Sequence, residues 1–211
     1  MRIVCTTCDV YSYIVPLFTH FWHRAWPDCP WPLTIVTDKI RVKTREQVIY
    51  TDGSSVYGTR MVKFVNSDFL RDDEHIIVML EDYIVKSIDI PLIMHAYELM
   101  QSNKDIGMIR LYPKPGPTAP FGEEAEIGEV QRKDLYVASL QAAMWRTDVF
   151  KSILTPGEDP WQTEESGSWR LRNSPENMIY LSTYKEAIDY HNYCSKGRLD
   201  DRVSTWIKEN R

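Results

Sequence analysis

The sequence predicts an α/β fold, a single domain with a mixed, mostly parallel central sheet and helices on both faces. Short apolar runs rich in β-branched residues alternate with longer helical segments, which is typical of parallel strands joined by crossover helices. The run Ile76-Ile77-Val78-Met79-Leu80 is apolar at every position, as expected for a strand covered on both faces. With 211 residues, 43% of them hydrophobic, the chain can bury the core of one ordinary globular domain.

The strands and helices are assigned from the apolar runs and from the residues that interrupt them. Predicted strands occupy Ile3–Thr7, Leu33–Thr37, Gln47–Tyr50, Ile76–Leu80, Ile106–Leu111, Leu135–Met144 and Met178–Leu181. Predicted helices occupy Tyr13–Trp26, Val56–Phe69, Ile90–Gln101 and Asp148–Leu154. Pro27 ends the first helix, and the proline-rich stretch 113–126 is too irregular for regular structure.

The four cysteines do not form a disulfide framework or a metal motif. Cys5 and Cys8 have C-x-x-C spacing, but Cys5 falls inside a strand, whereas a redox site would place both thiols beyond it. Cys29 and Cys194 are solitary, so a zinc ribbon lacks its second pair and reduced, packed thiols are expected. The N-terminus shows no signal pattern and no apolar run reaches membrane-span length, which predicts a cytoplasmic protein.

Two adjacent carboxylates, Glu81 and Asp82, directly follow the apolar run that ends at Leu80. Ligands of open α/β sheets bind outside the carboxyl ends of strands, where this carboxylate pair would hold a divalent cation and a phosphorylated substrate. Side chains alternate along a strand, and we favour Asp82 as the one that faces the ligand. The alternative is that the pair caps a following helix. The chain has neither G-x-G-x-x-G nor G-x-x-x-x-G-K-[ST], so a metal is the expected partner of the phosphates.

The order of these features resembles that of GT-A-fold, family 2-like glycosyltransferases of the short bacterial and phage type. Residues 4–7 through 36–38 are similar to the nucleotide-binding βαβ start of that family. Leu80-Glu81-Asp82-Tyr83 occupies the place of the D-x-D-type metal motif, although it is not a strict D-x-D. The stretch 139–146, running into Pro160-Trp161-Gln162-Thr163-Glu164, resembles the family's strand, short helix and P-W-x-x-E segment.

The resemblance covers most of the chain and implies a nucleotide-sugar-binding half, 1–85, and an acceptor half with a C-terminal closing segment, 86–211. His191-Asn192 followed by Lys196-Gly197-Arg198 is similar to the segment that closes over the pyrophosphate. The implied cofactor is a divalent metal, Mn or Mg, held by Asp82. Glu81 is either a second ligand or a helix cap. His191 either completes the metal shell or is a partly buried, hydrogen-bonded histidine.

The resemblance also implies a catalytic base on the acceptor side. Glu164 is the candidate, because the neighbouring Trp161 resembles the family's acceptor-side tryptophan and an apolar neighbour raises the pKa of a carboxyl group. Asp159 and Glu165 compete for the role by proximity in the sequence. The alternative is that Glu164 and Glu165 begin a solvated acidic face.

Donor-binding residues are expected at the ends of the first strands and in two basic segments. Asp38 either accepts hydrogen bonds from the nucleoside or forms a turn. The other candidates for nucleoside and phosphates, which can equally be structural or solvated, are Thr6, Thr7, Arg60, Lys63, Lys196 and Arg198.

Four cations alternate along one segment, which we term the basic row: Lys39, Arg41, Lys43 and Arg45. In an extended backbone they share one face and can bind a polyanionic acceptor. The alternative is an exposed edge strand kept soluble by its charges. The net charge of −5 opposes tight nonspecific binding of nucleic acid but not a local patch.

The function implied by the resemblance is transfer of one sugar from a nucleoside diphosphate donor, a UDP-sugar in the first instance, to an acceptor hydroxyl. The acceptor is expected to be a surface glycan or a hydroxymethylated pyrimidine in phage DNA, in the cytoplasm of a bacterial or phage-infected cell. A metal-dependent nucleotidyltransferase is the second enzyme class, but its glycine-rich phosphate loop with a lysine is missing after the first strand. The third hypothesis is a non-catalytic relative that binds sugar or nucleotide.

Overall fold

The computed structural model describes residues 1–51, 55–195 and 197–211. Its strands are β1 (Arg2–Thr6), β2 (Leu33–Thr37), β3 (Gln47–Tyr50), β4 (His75–Leu80), β5 (Tyr83–Ile88), β6 (Ile106–Arg110), β7 (Ala119–Pro120), β8 (Ile127–Glu129), β9 (Ala143–Arg146), β10 (Ile179–Thr183), β11 (Ile188–Asn192), β12 (Cys194–Ser195) and β13 (Arg198–Leu199). Its α-helices are α1 (Val15–Ala25), α2 (Tyr57–Val65), α3 (Ile90–Ser102), α4 (Thr147–Ser152), α5 (Pro160–Asn173) and α6 (Asp201–Asn210). Short 3₁₀ helices occupy Ser12–Ile14 and Asp68–Leu70.

Nine of the described strands form one sheet, in the order β3-β2-β1-β4-β9-β6-β10-β8-β7. β9 and β8 run opposite to the others, so the sheet is mixed but mostly parallel, and the predicted fold class is confirmed. β1 and β4 pair in parallel from Arg2 and Ile76 to Thr6 and Leu80. Both strands therefore end at the same edge, and the residues that follow them, among them Glu81, lie side by side there.

Helices cover both faces of the sheet because successive strand residues point to opposite sides. Ile3 of β1 belongs to the apolar cluster that includes Phe18 of α1 and residues of α3. Its neighbour Val4 packs in the cluster on the other face, with Met61 of α2 and Phe150 of α4. The two apolar layers hold the sheet edge rigidly, so the groups that follow β1, β2 and β4 have fixed relative positions.

The predicted strand over Leu135–Met144 is largely wrong, because β9 begins only at Ala143. The segment before it is irregular, and side chains rather than a neighbouring strand bond its backbone groups. Arg110 donates to two of its carbonyl groups, and Ser168 both accepts from and donates to the backbone of Ala138. Polar side chains from β6 and α5 thus replace the ladder that the apolar pattern predicted.

No helix follows the carboxylate pair, so the helix-capping alternative is wrong. The chain turns at Glu81 and Asp82 directly into β5, which pairs antiparallel with β11 in a separate two-stranded sheet. Ile84 of β5 then packs against α6, through Val203 and Ile207. The C-terminal part of the chain is thereby folded back onto the region of the carboxylate pair.

The predicted state of the cysteines agrees with the structure. All four are free thiols, with Cys5 buried and Cys8, Cys29 and Cys194 partly buried. Within the described ranges, none of the helices has both the length and the apolar character needed to cross a bilayer.

Candidate active site

The carboxylate pair is desolvated at the end of β4. Glu81 is only 7% exposed, and burial, followed by the charge of Asp82, raises its pKa from 4.5 to about 8. Arg60 and the Thr7 hydroxyl oppose that shift. Burial also raises the pKa of Asp82, to about 6, against a hydrogen bond from the backbone of Cys194. Two buried acids with raised pKa values in adjacent positions are typical of a functional site.

A buried polar network lies beside the pair, at the ends of β1 and β2. The guanidinium of Arg60, which is 4% exposed, donates from Nε to the Thr6 hydroxyl at 3.2 Å and from Nη1 to Asp38 Oδ1 at 3.1 Å. Asp38 Oδ2 accepts from the backbone N–H of Asp9 at 3.1 Å. Arg60 is therefore not a solvated helix charge, and Asp38 is more than a turn residue. The ion pair is buried on both sides, with Thr7 also buried next to it.

Lys63, from the same helix as Arg60, faces elsewhere. Its ammonium group donates to the carbonyl oxygen of Thr51 at 2.9 Å, after the end of β3, and its side chain is largely exposed. Arg198 is exposed in β13, and Lys196 lies outside the described residues. Of the predicted donor-side cations that the structure describes, Arg60 bonds to Thr6 and Asp38, and Lys63 bonds to the carbonyl oxygen of Thr51.

Glu164 approaches the region from α5. Its Oε1 accepts from the backbone N–H of Leu140 at 2.7 Å and from the Ser139 hydroxyl at 3.1 Å. The helix lies close enough for this because Gly167 faces Ala138 and Ile153, where an added Cβ would come within 3.4 Å of both. Glu164 is half-buried and held in one orientation. Its neighbour Glu165 is exposed. The alternative of a solvated acidic face therefore applies to Glu165 and not to Glu164.

Tyr83 connects the carboxylate pair to Glu164. Its hydroxyl donates to the carbonyl oxygen of Leu140 at 3.0 Å, and its ring stacks on Tyr190 at 4.3 Å between centroids. Burial raises the pKa of Tyr83 well above its ordinary value, and the charges of Asp82 and Glu164 add to this shift. The same phenol thus lies within the electrostatic reach of both carboxylates. The sequence analysis did not identify Tyr83, although it stands beside Asp82 in the quoted motif.

Asp159 and Trp161 lie at the start of α5. The Asp159 carboxylate accepts from the backbone N–H of Gln162 at 2.8 Å, and the Gln162 side chain accepts from the Asp159 N–H at 2.9 Å, which together form a capping box. Asp159 is therefore engaged as a helix cap. Trp161 is 62% exposed and is free to contact a ligand from solvent. With Pro160 in the first turn, this capping sequence was the signal that could have predicted α5.

The C-terminal segment reaches the carboxylate pair through its backbone. The N–H of Tyr193 donates to the carbonyl oxygen of Asp82 at 2.8 Å, and the N–H of Cys194 lies 3.4 Å from Asp82 Oδ2. His191, in contrast, packs edge-on against Trp206 at 5.1 Å, and burial lowers the pKa of its imidazole. The structure thus places the backbone of residues 193–194 against Asp82, whereas the ring of His191 packs against Trp206 of α6.

The donor set can be compared with what a divalent cation requires. Among the residues that the structure describes, no group of three or more His, Cys, Asp or Glu side chains could by itself hold a metal ion. Mg²⁺ and similar ions in nucleotide sites use one or two carboxylates together with phosphate oxygens and water. Glu81 and Asp82 fit that requirement, since they are two adjacent carboxyl groups whose pKa values burial raises, and a bound cation would favour their ionised forms.

The basic row does not form an edge strand. It lies in the connection between β2 and β3, and its four cations are exposed while Val42 between them is buried. The buried Val42 packs in the same apolar cluster as α1. The edge strand on this side of the sheet is β3, which begins after the row ends.

Comparison with known proteins identifies the fold. No protein-family model matches the chain, and no curated protein matches it in sequence. Among solved structures, S. aureus TarS 1-349 is similar with a TM-score of 0.53 and 15% identity, over 86% of this chain and 60% of that one. UDP-glucose pyrophosphorylase complexed with UDP-glucose is similar with a TM-score of 0.58 and 13% identity, over 100% and 99% of the two chains.

A third similar structure is the CMP:2-keto-3-deoxy-manno-octonic acid synthetase complexed with CTP, with a TM-score of 0.56 and 14% identity over 99% of this chain and 97% of that one. This chain therefore spans only 60% of the TarS segment but nearly the full length of the other two. At these identities the likeness concerns the fold, which is GT-A-like as the sequence predicted.

Proposed function

We propose that the chain is a nucleotide-sugar-dependent glycosyltransferase, which moves a single sugar from a nucleoside diphosphate donor to an acceptor hydroxyl. One arrangement carries the proposal. A desolvated carboxylate pair lies at the sheet edge, and the adjacent Tyr83 bonds to Leu140, whose N–H group orients a third carboxylate, Glu164. A metal-bound diphosphate and a base are the two requirements of sugar transfer. The expected donor is a UDP-sugar.

On the donor side, Glu81 and Asp82 would hold Mn²⁺ or Mg²⁺, which as a Lewis acid stabilises the departing diphosphate. The buried group of Arg60, Asp38 and Thr6 lines the nucleoside end and places a fixed positive charge close to the carboxylate pair. Further cations for the diphosphate would come from the C-terminal segment, where Lys196 and Arg198 are the candidates of the sequence analysis.

On the acceptor side, Glu164 would act as the general base. The acceptor oxygen forms a bond to the anomeric carbon while the bond from that carbon to the diphosphate oxygen breaks, and the diphosphate leaves with the electron pair. The acceptor proton passes to Glu164. Within the described residues, both hydrogen bonds to this carboxylate are made to Oε1, which leaves Oε2 to receive the proton. Trp161, one turn earlier on α5, offers an exposed ring against which the acceptor can stack.

The acceptor would be a surface glycan or a hydroxymethylated pyrimidine of phage DNA, in the cytoplasm of a bacterial or phage-infected cell. A nucleotidyltransferase shares the fold but must also bind a nucleoside triphosphate. The residues after β1, Thr7-Cys8-Asp9-Val10-Tyr11, contain neither glycine nor lysine to cradle one. That difference favours sugar transfer.

The Asp82→Asn variant tests the proposal, because it keeps the size of the side chain and removes the charge that binds a cation. In the presence of Mn²⁺, the affinity for UDP should fall at least tenfold, about 1.4 kcal/mol, while the affinity without metal should change little. Titration calorimetry with and without metal measures both, and Asp148→Asn, an exposed carboxylate on α4, is the matched control. Equal affinities in wild type and Asp82→Asn would remove Asp82 from the site.

The reaction class is tested by supplying wild-type protein with Mn²⁺ and either UDP-sugars or nucleoside triphosphates with sugar 1-phosphates. Release of UDP from a UDP-sugar supports the proposed reaction. Release of pyrophosphate from the second mixture would replace it with nucleotidyl transfer. Binding without turnover in both would indicate a non-catalytic relative.

A further inference from the structure

A cleft of about 630 Å³ lies between α1 and the connection that carries the basic row. It is separate from the carboxylate pair and from Glu164, neither of which lines it. Most of its lining residues are polar or charged by type; the side chains that matter below are His20, His23, Arg24, Lys43, Arg45 and Glu46. The second half of the basic row thus forms one wall, and the outer face of α1 forms the other.

The positive charge of this cleft is largely uncompensated. None of the four cations of the basic row forms a salt bridge with another described residue. The one acid in the lining, Glu46, is paired with His23 at 2.9 Å. Arg24 adds a further cation from α1, where its guanidinium donates to the carbonyl oxygen of Asn210. In a chain with a net charge of −5, such a local excess of positive charge attracts anions.

The spacing of the row suits a chain of regularly repeated anions. Exposed Arg41, Lys43 and Arg45 alternate with the buried or half-buried residues 42, 44 and 46, as in an extended backbone. In that conformation, alternate side chains recur about 6.8 Å apart. A regular repeat of cations on one face can bind a strand that carries regularly repeated phosphates.

The row and Glu164 lie too far apart for one monosaccharide to contact both. It begins next to Asp38, where Asp9 Oδ1 accepts from the backbone N–H groups of Lys39 and Ile40 at 2.9 and 2.8 Å. From β2 to β9, the strand that follows the segment bonded by Glu164, there are three steps across the sheet. Each step is about 4.8 Å, so roughly 14 Å separates the two regions. An acceptor that reaches both must span at least that distance, as an oligomer or a polymer does.

We propose that this cleft binds a single nucleic acid strand, with the basic row on its phosphates and the rings of His20 and His23 facing its bases. Positive grooves with interspersed flat rings are the usual way to hold single strands. A bilayer is disfavoured because no large exposed apolar side chain lines this cleft. Binding of the strand does not depend on the proposed function. Only the identification of the strand as the acceptor rests on it.

Fluorescence anisotropy with a labelled single-stranded oligodeoxynucleotide, without nucleotide sugar, tests the binding directly. Wild type should bind with a log–log salt slope of about −2.8, from four phosphate contacts at about 0.7 each. Neutralising the row (Lys39→Gln, Arg41→Gln, Lys43→Gln, Arg45→Gln) should weaken binding roughly tenfold or more at low salt and bring the slope close to zero. The matched control makes the same charge change at exposed Lys104, Lys114, Lys151 and Lys208 and should bind like wild type.

Variants in the two halves of the row distinguish binding in the cleft from a general effect of positive charge. Lys43→Gln with Arg45→Gln, inside the cleft, should lose more affinity than Lys39→Gln with Arg41→Gln. Equal binding by wild type and the four-site variant, or an equal loss in the control, would overturn the proposal. So would binding to anionic vesicles with none to the oligonucleotide. Since no donor is present, strand binding by a protein that releases no UDP would leave this inference standing and refute the proposed reaction instead.

Discussion

Replacing Glu81 with glutamine is expected to stabilise the metal-free protein at neutral pH. The folded state raises the pKa of Glu81 from 4.5 to about 8, so the folded chain binds this proton more tightly than the unfolded chain does. The stabilising contribution of the proton is complete below pH 4.5 and is lost as the pH rises towards 8. Glutamine has the shape of the protonated acid and does not ionise, so the variant does not lose this stability as the pH rises.

The magnitude follows from the two pKa values. At pH 7 the unfolded carboxyl group is ionised, whereas most folded molecules remain protonated at Glu81. Each pH unit above 4.5 lowers the free energy of unfolding by about 1.4 kcal/mol, which gives about 3 kcal/mol at pH 7. For a chain of this size, 1 kcal/mol corresponds to roughly 2 to 4 °C in Tm, so Glu81→Gln should raise Tm by roughly 6 to 12 °C.

Thermal unfolding followed by circular dichroism, in buffer with a chelator, measures the difference. The gap between Glu81→Gln and wild type should be largest near pH 8 and nearly absent at pH 4.5. Glu165→Gln makes the same chemical change at an exposed site on α5 and should leave Tm within about 0.5 kcal/mol of wild type. With Mn²⁺ and UDP added, wild type should gain stability and Glu81→Gln should gain much less.

Two outcomes would refute the reasoning. A Glu81→Gln protein that is less stable than wild type at pH 8 would show that the ionised carboxylate makes favourable contacts in the folded state. A pH-independent gap between the two proteins would show that its pKa is not raised by burial. Either result would also remove the main reason to place a cation at this edge.

Three further substitutions probe the neighbouring groups. Glu164→Gln should leave UDP affinity nearly unchanged while transfer falls by roughly 10²-fold. Asp159→Asn should keep both its turnover and its stability, because asparagine caps a helix about as well as aspartate does. Loss of turnover in Asp159→Asn alone would move the base to that residue. Arg60→Met should lower the free energy of unfolding by about 3 to 5 kcal/mol, because it leaves Asp38 buried without its partner. Urea titration measures this loss, and a variant that also carries Asp38→Asn should regain part of it.

The sequence predicted β1, β2 and β4 well, because these strands are covered on both faces. Runs such as Ile76–Leu80 have to be apolar throughout in that position, and their short length and β-branched residues favour a strand over a buried helix. The position of Glu81 and Asp82 at the strand end followed from the same runs. These predictions needed only local information.

The contacts that define the candidate site could not be predicted from the sequence to the same extent. The pairing of Arg60 with Asp38 depends on how α2 lies against β1 and β2, and nothing in either local sequence specifies a partner. The irregular segment before β9 is apolar enough to suggest a strand, yet Arg110 and Ser168 bond its backbone from distant elements. Helix α5 was missed because serine and glycine residues near Gly167 weaken its helical pattern, although its capping sequence was readable.

The backbone contacts of Tyr193 and Cys194 with Asp82 have a consequence for how related sequences can diverge. Each contact is made by a peptide N–H group, which every amino acid except proline supplies. Selection for these contacts therefore restricts the path of the chain and excludes proline, but it leaves the side chains at both positions free to drift. Distant relatives can share this closure over the carboxylate without sharing a recognisable motif there, so an alignment scored on residue identity would pass over it.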